Sequence, residues 1–290
     1  MIAIVGPTAS GKSALAMRVA ERLGAEIVSA DSRQVYRTMD IGTAKPTVEE
    51  RVRVPHHLID VADPGERYNA FRFQRDARAA IAAIRARGRT VVIVGGTGLY
   101  VSALLDGLEL ASQLHDDQLR SQLESLDPNE VFKRLAALDP ETAAQVDRRN
   151  VRRMVRYLEV ATLAGGPVSR RRGSTLPALR VGLRPPHDVL IDAINRRVRE
   201  MVVAGVLDET RALVARGIDR GLPSQSAHGY RHWAAHIRGE IDLESAIQLT
   251  ASDVRGYSYR QMTWFRRDAA IRWFDPTVTD PVEEIVEAAA

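Results

Sequence analysis

Met1-Ile2-Ala3-Ile4-Val5-Gly6-Pro7-Thr8-Ala9-Ser10-Gly11-Lys12-Ser13 stands at the head of the chain. Ile2 to Val5 is a short apolar run rich in β-branched residues, which reads as a buried strand. It feeds directly into G-x-x-x-x-G-K-[ST], and Ala14-Leu15-Ala16-Met17-Arg18-Val19-Ala20 follows as a good helix. Strand, glycine-rich loop and helix form the context in which this motif is a phosphate-binding loop. Backbone N–H groups of such a loop and the helix N-terminus make a positive concavity for phosphate oxygens. Lys12 adds a point charge, and the Ser13 hydroxyl suits a magnesium ion, Mg2+. The candidate di- or triphosphate cradle is therefore Gly6, Pro7, Thr8, Ala9, Ser10, Gly11, Lys12 and Ser13, and the reaction is left open.

Outward from this loop, residues 1 to about 107 alternate strand and helix signals. Glu26-Ile27-Val28-Ser29-Ala30 reads as a strand ending at Asp31, and Phe71 to Arg87 as an amphipathic helix closed by Gly88. Thr90-Val91-Val92-Ile93-Val94 reads as a buried strand ending in Gly95-Gly96-Thr97-Gly98. The alternation predicts an α/β fold, a P-loop NTPase-like parallel sheet flanked by helices. From about 112 to 178 the strand signal stops. Asp127-Pro128 and Asp139-Pro140 each pair a capping acid with proline at the first helical position. Leu119, Leu123, Leu126, Val131, Leu135 and Leu138 recur at helical spacing, and a third helix spans about Asn150 to Ala164. We therefore expect a small all-helical insertion over 112–178 within a catalytic core of 1–111 and 179–290. Val181-Gly182-Leu183 returns to the sheet, long helices follow near Val189–Val203 and Asp242–Arg267, and Ile271-Arg272-Trp273-Phe274 reads as a last strand.

The 290 residues carry a net charge of +4 and no cysteine. Disulfides, thiolate zinc sites and a cysteine nucleophile are thereby excluded. No run reaches the ~18 to 20 apolar residues of a membrane span, so no membrane partner and a cytoplasmic setting are expected. Lysine occurs only at Lys12, Lys45 and Lys133, with arginine supplying the other basic residues. Arginine suits phosphate and base contacts, although a GC-rich genome gives the same bias. Clustering must carry a nucleic-acid argument.

Ligands of open parallel sheets bind beyond the carboxyl ends of strands. Asp31, Thr97 and the P-loop all fall at such ends and should share a crevice. Asp31 is the candidate base, its competing role being a cap for Ser32 to Tyr36. Leu58-Ile59-Asp60 sits between Pro55-His56-His57 and Asp63-Pro64 and reads as loop, leaving no convincing hydrolytic acid at a strand end. His56 and His57 read as structural. Arg149, Arg152, Arg153 and Arg156 form one stripe of the third insertion helix, with Met154, Leu158 and Ala161 facing elsewhere, and Arg170-Arg171-Arg172 follow. Such a stripe suits RNA phosphates or, equally well, a solvated face. Arg255, Tyr257, Tyr259, Arg260, Gln261, Trp264, Phe265, Arg266 and Arg267 interleave rings with charge, as single-stranded RNA contacts do; core packing is the alternative for Trp264 and Phe265.

Taken in order, these segments resemble the tRNA dimethylallyltransferases, or tRNA isopentenyltransferases. The P-loop, Ser29-Ala30-Asp31-Ser32-Arg33-Gln34-Val35-Tyr36, Met39-Asp40-Ile41-Gly42-Thr43-Ala44-Lys45-Pro46 and Val94-Gly95-Gly96-Thr97-Gly98-Leu99-Tyr100 carry the resemblance. Arg156-Tyr157-Leu158-Glu159-Val160, Gly229-Tyr230-Arg231 and Arg260-Gln261-Met262-Thr263-Trp264-Phe265-Arg266 continue it. It differs from the family pattern at Val254 (threonine), Tyr259 (a basic residue) and Asn150 (aspartate). The resemblance implies transfer of a dimethylallyl group from dimethylallyl diphosphate to tRNA, releasing pyrophosphate. The acceptor would be the exocyclic amine of the adenosine 3′ to the anticodon, in tRNAs reading codons that begin with U.

On this resemblance Asp31, Thr97 and Arg197 would be catalytic: Asp31 as general base, Thr97 near the breaking bond, and Arg197 neutralising the departing pyrophosphate. The P-loop and Mg2+, with Ser13 as metal ligand, would hold the donor. The anticodon stem-loop would meet Asp31, Ser32, Arg33, Gln34, Thr97, Arg120, Arg152, Arg153, Arg156, Gly229, Tyr230 and Arg231, with Ser226 to His228 continuing the last segment. A monomer is expected. The alternative class is a P-loop small-molecule or nucleoside kinase, distinguished by transfer of phosphate from ATP. A third is a non-catalytic RNA-binding module.

Overall fold

A computed structural model describes residues 1–107, 114–167, 174–218 and 229–289. Arg170 to Arg172 and Ser226 to His228 lie outside them, as do Ala111 to Gln113, where the family pattern has prolines that this sequence lacks. Two compact units emerge: Met1–Leu105 with Leu176–Ala290, and Asp106–Thr175.

The larger unit opens with β1 (Ile2–Val5), α1 (Lys12–Leu23), β2 (Glu26–Ser29), α2 (Val48–Arg53), β3 (His56–His57), α3 (Ala70–Ala86), β4 (Val91–Gly95) and α4 (Gly98–Leu105). The smaller unit contributes α5 (Asp117–Glu124), α6 (Pro128–Leu138), α7 (Pro140–Gln145) and α8 (Val151–Ala164). The larger unit then resumes with β5 (Leu179–Leu183), α9 (His187–Val203), α10 (Val206–Ala215), α11 (Tyr230–Ile237), α12 (Leu243–Phe265), β6 (Ile271–Phe274) and α13 (Val282–Ala289). The six strands lie in the order β3-β2-β4-β1-β5-β6, and every pairing is parallel. Their carboxyl ends therefore share one edge, with β1, β2 and β4 releasing the P-loop, Asp31 and Thr97 there.

Burial explains why the apolar runs become strands. Ile2, Ile4, Ile27 and Val92 are fully buried, and with Leu15, Ala16 and Val19 of α1 they form a core cluster. Helices cover the sheet, as parallel strands require. Two elements depart from expectation. Pro55-His56-His57 is partly a strand, β3, which pairs with Ile27 and Val28. Helix α2 buries no residue and is held by a capping box, Thr47 and Glu50 bonding reciprocally. In the smaller unit Val131, Leu135, Met154, Val155 and Leu158 make a separate core, with Asp127 and Asp139 capping α6 and α7 ahead of their prolines.

Candidate active site

The P-loop earns its shape from backbone conformation. Ala9 (φ 63°) and Gly11 (φ 86°) are left-handed, which turns successive N–H groups inward. α1 starts at Lys12 with no side-chain cap on its first amides, which suits that helix end to an anion. A cavity of about 280 Å3 opens over them, lined by Ala9, Gly11, Lys12, Ser13, Gln34 and Arg197 among others. Lys12 is buried and its ammonium donates to Pro7 O at 3.1 Å. Burial draws Lys12 down to about 8, opposed by the charge of Asp31 and reinforced by Arg197. Burial also lowers Arg197, again opposed by Asp31, but a guanidinium stays charged at neutral pH. Two cations so placed suit a negatively charged ligand.

A second cavity, about 60 Å3, is lined by Thr8, Asp31, Arg33, Thr43, Arg197, Val254 and Tyr257 among others. Arg197, on α9, is a wall of both cavities. Asp31 accepts the Arg33 N–H at 2.8 Å, so its capping role is real but occupies one oxygen in a turn. Thr97 Oγ1 accepts the Ser32 N–H at 3.0 Å and donates to Ser32 Oγ at 3.2 Å, which ties the β4 loop to the segment after β2. Burial raises the Tyr257 phenol, and the nearby Asp31 charge pushes the same way. The structure thus brings Asp31, Thr97, Arg197, Lys12 and Arg33 to one strand-end crevice. Ser13 lines its phosphate side, and Gln34 holds the crevice wall by donating to Ala44 O at 3.0 Å.

Asp60 is committed elsewhere, to Lys45 and Arg51. Burial raises its carboxyl, but those cations outweigh burial and hold it below the usual range.

Three residues expected to face RNA or phosphate do something else in the structure. Tyr230 is fully buried, and its hydroxyl donates to Glu209 at 2.6 Å. Glu209 in turn accepts the backbone N–H groups of Asp40, Ile41 and Gly42 at 2.7, 2.8 and 3.0 Å, fixing that turn. The Thr8 N–H is taken by Gln261 Oε1 at 2.8 Å, so it is not a phosphate donor. Gln261, grouped above with RNA contacts, is 4% exposed in α12. Phe265 is core and Trp264 lies against Gly98, whereas Tyr259 is 71% exposed. Gly229 is the N-cap of α11, and Arg231 is exposed and paired with Asp253 at 2.8 Å.

In the helical unit Arg152 and Arg153 are exposed on α8; Arg149 precedes the helix. Arg156 is a half-buried cation rather than the fully open one that the stripe suggested, its guanidinium shared with a carboxylate. It and Arg120 grip the fully buried carboxylate of Glu159 at 2.7 and 3.0 Å. His115 Nδ1 lies 2.6 Å from the same carboxylate, which also accepts the Asp116 N–H at 3.1 Å. Burial raises Glu159, but Arg156 and the other donors outweigh it and hold the group below its usual range.

The fold and the crevice define a P-loop enzyme with a carboxylate set beside its phosphate cradle. Family models described as IPP transferase and Isopentenyl transferase match residues 34–268 and 1–58, and the chain belongs to the IPP transferase family. It is 45% identical over 285 residues to a tRNA dimethylallyltransferase of Geobacter metallireducens, spanning 95% of this chain and 92% of that one. A tRNA dimethylallyltransferase of Anaeromyxobacter sp. (strain K) is 47% identical over 287 residues, covering 95% and 93%. The crystal structure of a full-length tRNA isopentenylpyrophosphate transferase from Bacillus halodurans superposes with TM-score 0.74 at 41% identity, over 99% of this chain and 94% of that one. A eukaryotic dimethylallyltransferase acting on tRNA gives TM-score 0.80 at 26% identity, over 95% and 73%. No helix among the described residues is long and apolar enough to cross a membrane.

Proposed function

We propose that this chain transfers the dimethylallyl group of dimethylallyl diphosphate to the exocyclic amine of the adenosine 3′ to the anticodon, in tRNAs reading codons that begin with U. The observation that carries the reading is Arg197, one guanidinium walling both the P-loop cavity and the Asp31 cavity. Donor diphosphate and acceptor amine would meet across it. The bond between the allylic carbon and the diphosphate oxygen breaks, and the carbon–nitrogen bond forms. The amine proton passes to Asp31, whose other oxygen is fixed by Arg33 N–H. Charge then accumulates on pyrophosphate, where Lys12 and Arg197 oppose it. No activated water is needed, which fits an Asp60 held by Lys45 and Arg51.

The donor set also fits Mg2+. Ser13, in the first turn of α1, lines the phosphate cavity beside Lys12, and magnesium takes one or two protein oxygens with phosphate and water supplying the others. When bound, the ion would neutralise diphosphate charge. The target adenosine leaves its stack to reach Asp31, and Arg120, Arg152, Arg153 and Arg156 supply phosphate contacts from the helical unit. The setting is cytoplasmic, where tRNA is found. Incubation with dimethylallyl diphosphate, Mg2+ and tRNA, followed by mass analysis of nucleosides, should yield one prenylated adenosine. Unmodified tRNA together with ATP-dependent phosphorylation of a small molecule would overturn the reading.

A further inference from the structure

We infer that Gln261 is a positioning residue that sets the distance between the diphosphate cradle and the base, by clamping the P-loop to the Thr97 loop; this rests on the function proposed above. Its side chain reaches from α12 to backbone with both ends of its amide, and it also meets the Tyr257 phenol. Oε1 accepts the Thr8 N–H at 2.8 Å, and Nε2 donates to the Gly96 carbonyl at 2.9 Å. A neutral amide offers one acceptor and one donor at this fork, which an ionised carboxylate cannot. The loop it grips is shaped for it: a Cβ on Gly96 would lie 2.0 Å from Nε2. A Cβ on the preceding Gly95 would lie 2.2 Å from the Ala30 carbonyl, so the same loop is pressed against the residue before Asp31. Thr97 N–H donates to Ala30 O at 3.3 Å, and Ser32 N–H to Thr97 Oγ1 at 3.0 Å. Backbone and side-chain contacts thus run from Thr8 through Gln261, Gly96 and Thr97 to the two neighbours of Asp31. A consequence follows for the cradle: with the Thr8 N–H committed, the diphosphate takes its backbone donors from beyond Thr8.

Group transfer is sensitive to such spacing, a misplacement of about 1 Å costing on the order of a hundredfold. The test uses full-length Gln261→Leu and Gln261→Glu. Gln261→Leu should lower kcat at saturating substrates by about tenfold or more, with tRNA Kd within about twofold of the unaltered protein. Gln261→Glu faces its carboxylate against the Gly96 carbonyl at pH ~8, but its protonated form regains the donor. Its kcat relative to the unaltered protein should therefore climb as pH falls toward ~6. A Gln261→Leu kcat within twofold of the unaltered protein, or a flat ratio for a folded Gln261→Glu, overturns the inference. Loss of tRNA affinity and of folding in both variants would make Gln261 merely structural and overturn it too. Absence of transfer by the unaltered protein would instead overturn the functional reading beneath it.

Discussion

Glu159→Gln should weaken tRNA binding even though it removes a negative charge. Counting charge alone gives the opposite sign: a carboxylate ~10 Å from an RNA phosphate in water repels it by about 0.4 kcal/mol, so its loss should tighten binding roughly twofold. The geometry favours the other effect. Glu159 is fully buried and aims Arg156 and Arg120 through contacts of 2.7 and 3.0 Å. Glutamine keeps the volume but turns an N–H toward donors, at a cost on the order of 2–3 kcal/mol of stability in the helical unit. Two arginines released from their poses lose about 1–2 kcal/mol of phosphate contact between them, some five- to thirtyfold in Kd. Fluorescence anisotropy with labelled tRNA, repeated across salt, measures both affinity and slope. The slope of log K against log salt should shrink by about 1–2 as two phosphate contacts weaken. Circular dichroism confirms that α8 remains. Twofold tighter binding with an unchanged slope would refute the reasoning, because Arg120 and Arg156 would then not be held for RNA.

On the proposed function protonated Lys12 pairs with diphosphate, and burial draws that lysine down to about 8. kcat/KM for dimethylallyl diphosphate should therefore fall as pH rises through about 8. The limb in kcat should lie higher, since bound diphosphate raises the lysine; coincident limbs would count against this. Gly96→Ala places a Cβ 2.0 Å from Gln261 Nε2, so kcat should drop with Gln261→Leu and stability fall by about 1–3 kcal/mol, checked by steady-state kinetics and denaturant melts. Tyr230→Phe leaves Glu209 one donor short, predicting a loss of about 1–2 kcal/mol, read as a melting point lower by roughly 2–6 °C.

The frame of the candidate site was legible because its signals are local. Ile2–Val5, Glu26–Ser29 and Val91–Gly95 are apolar runs ending in the P-loop, Asp31 and Thr97, and a parallel sheet must bring such ends together. Most of the rest is held by distant partners. Strand β3 has two histidines and no apolar run; its pairing comes from Ile27 and Val28. Helix α2 hides no apolar face, although Thr47 and Glu50 spelled its capping box. Gln261 meets Thr8 across 253 residues, and no spacing rule reaches so far. Arginine spacing on α8 was readable. The i,i+3 contact from Arg156 to Glu159 was readable in principle, but Arg120, arriving from α5, was not.

The most direct test of the central claim compares the unaltered protein with Asp31→Ala by mass analysis of tRNA after incubation with dimethylallyl diphosphate and Mg2+. The account predicts one dimethylallyl group on one adenosine with the unaltered protein, and none with Asp31→Ala, which still binds tRNA. Prenylation by Asp31→Ala at the unaltered rate, or none by the unaltered protein, would contradict it.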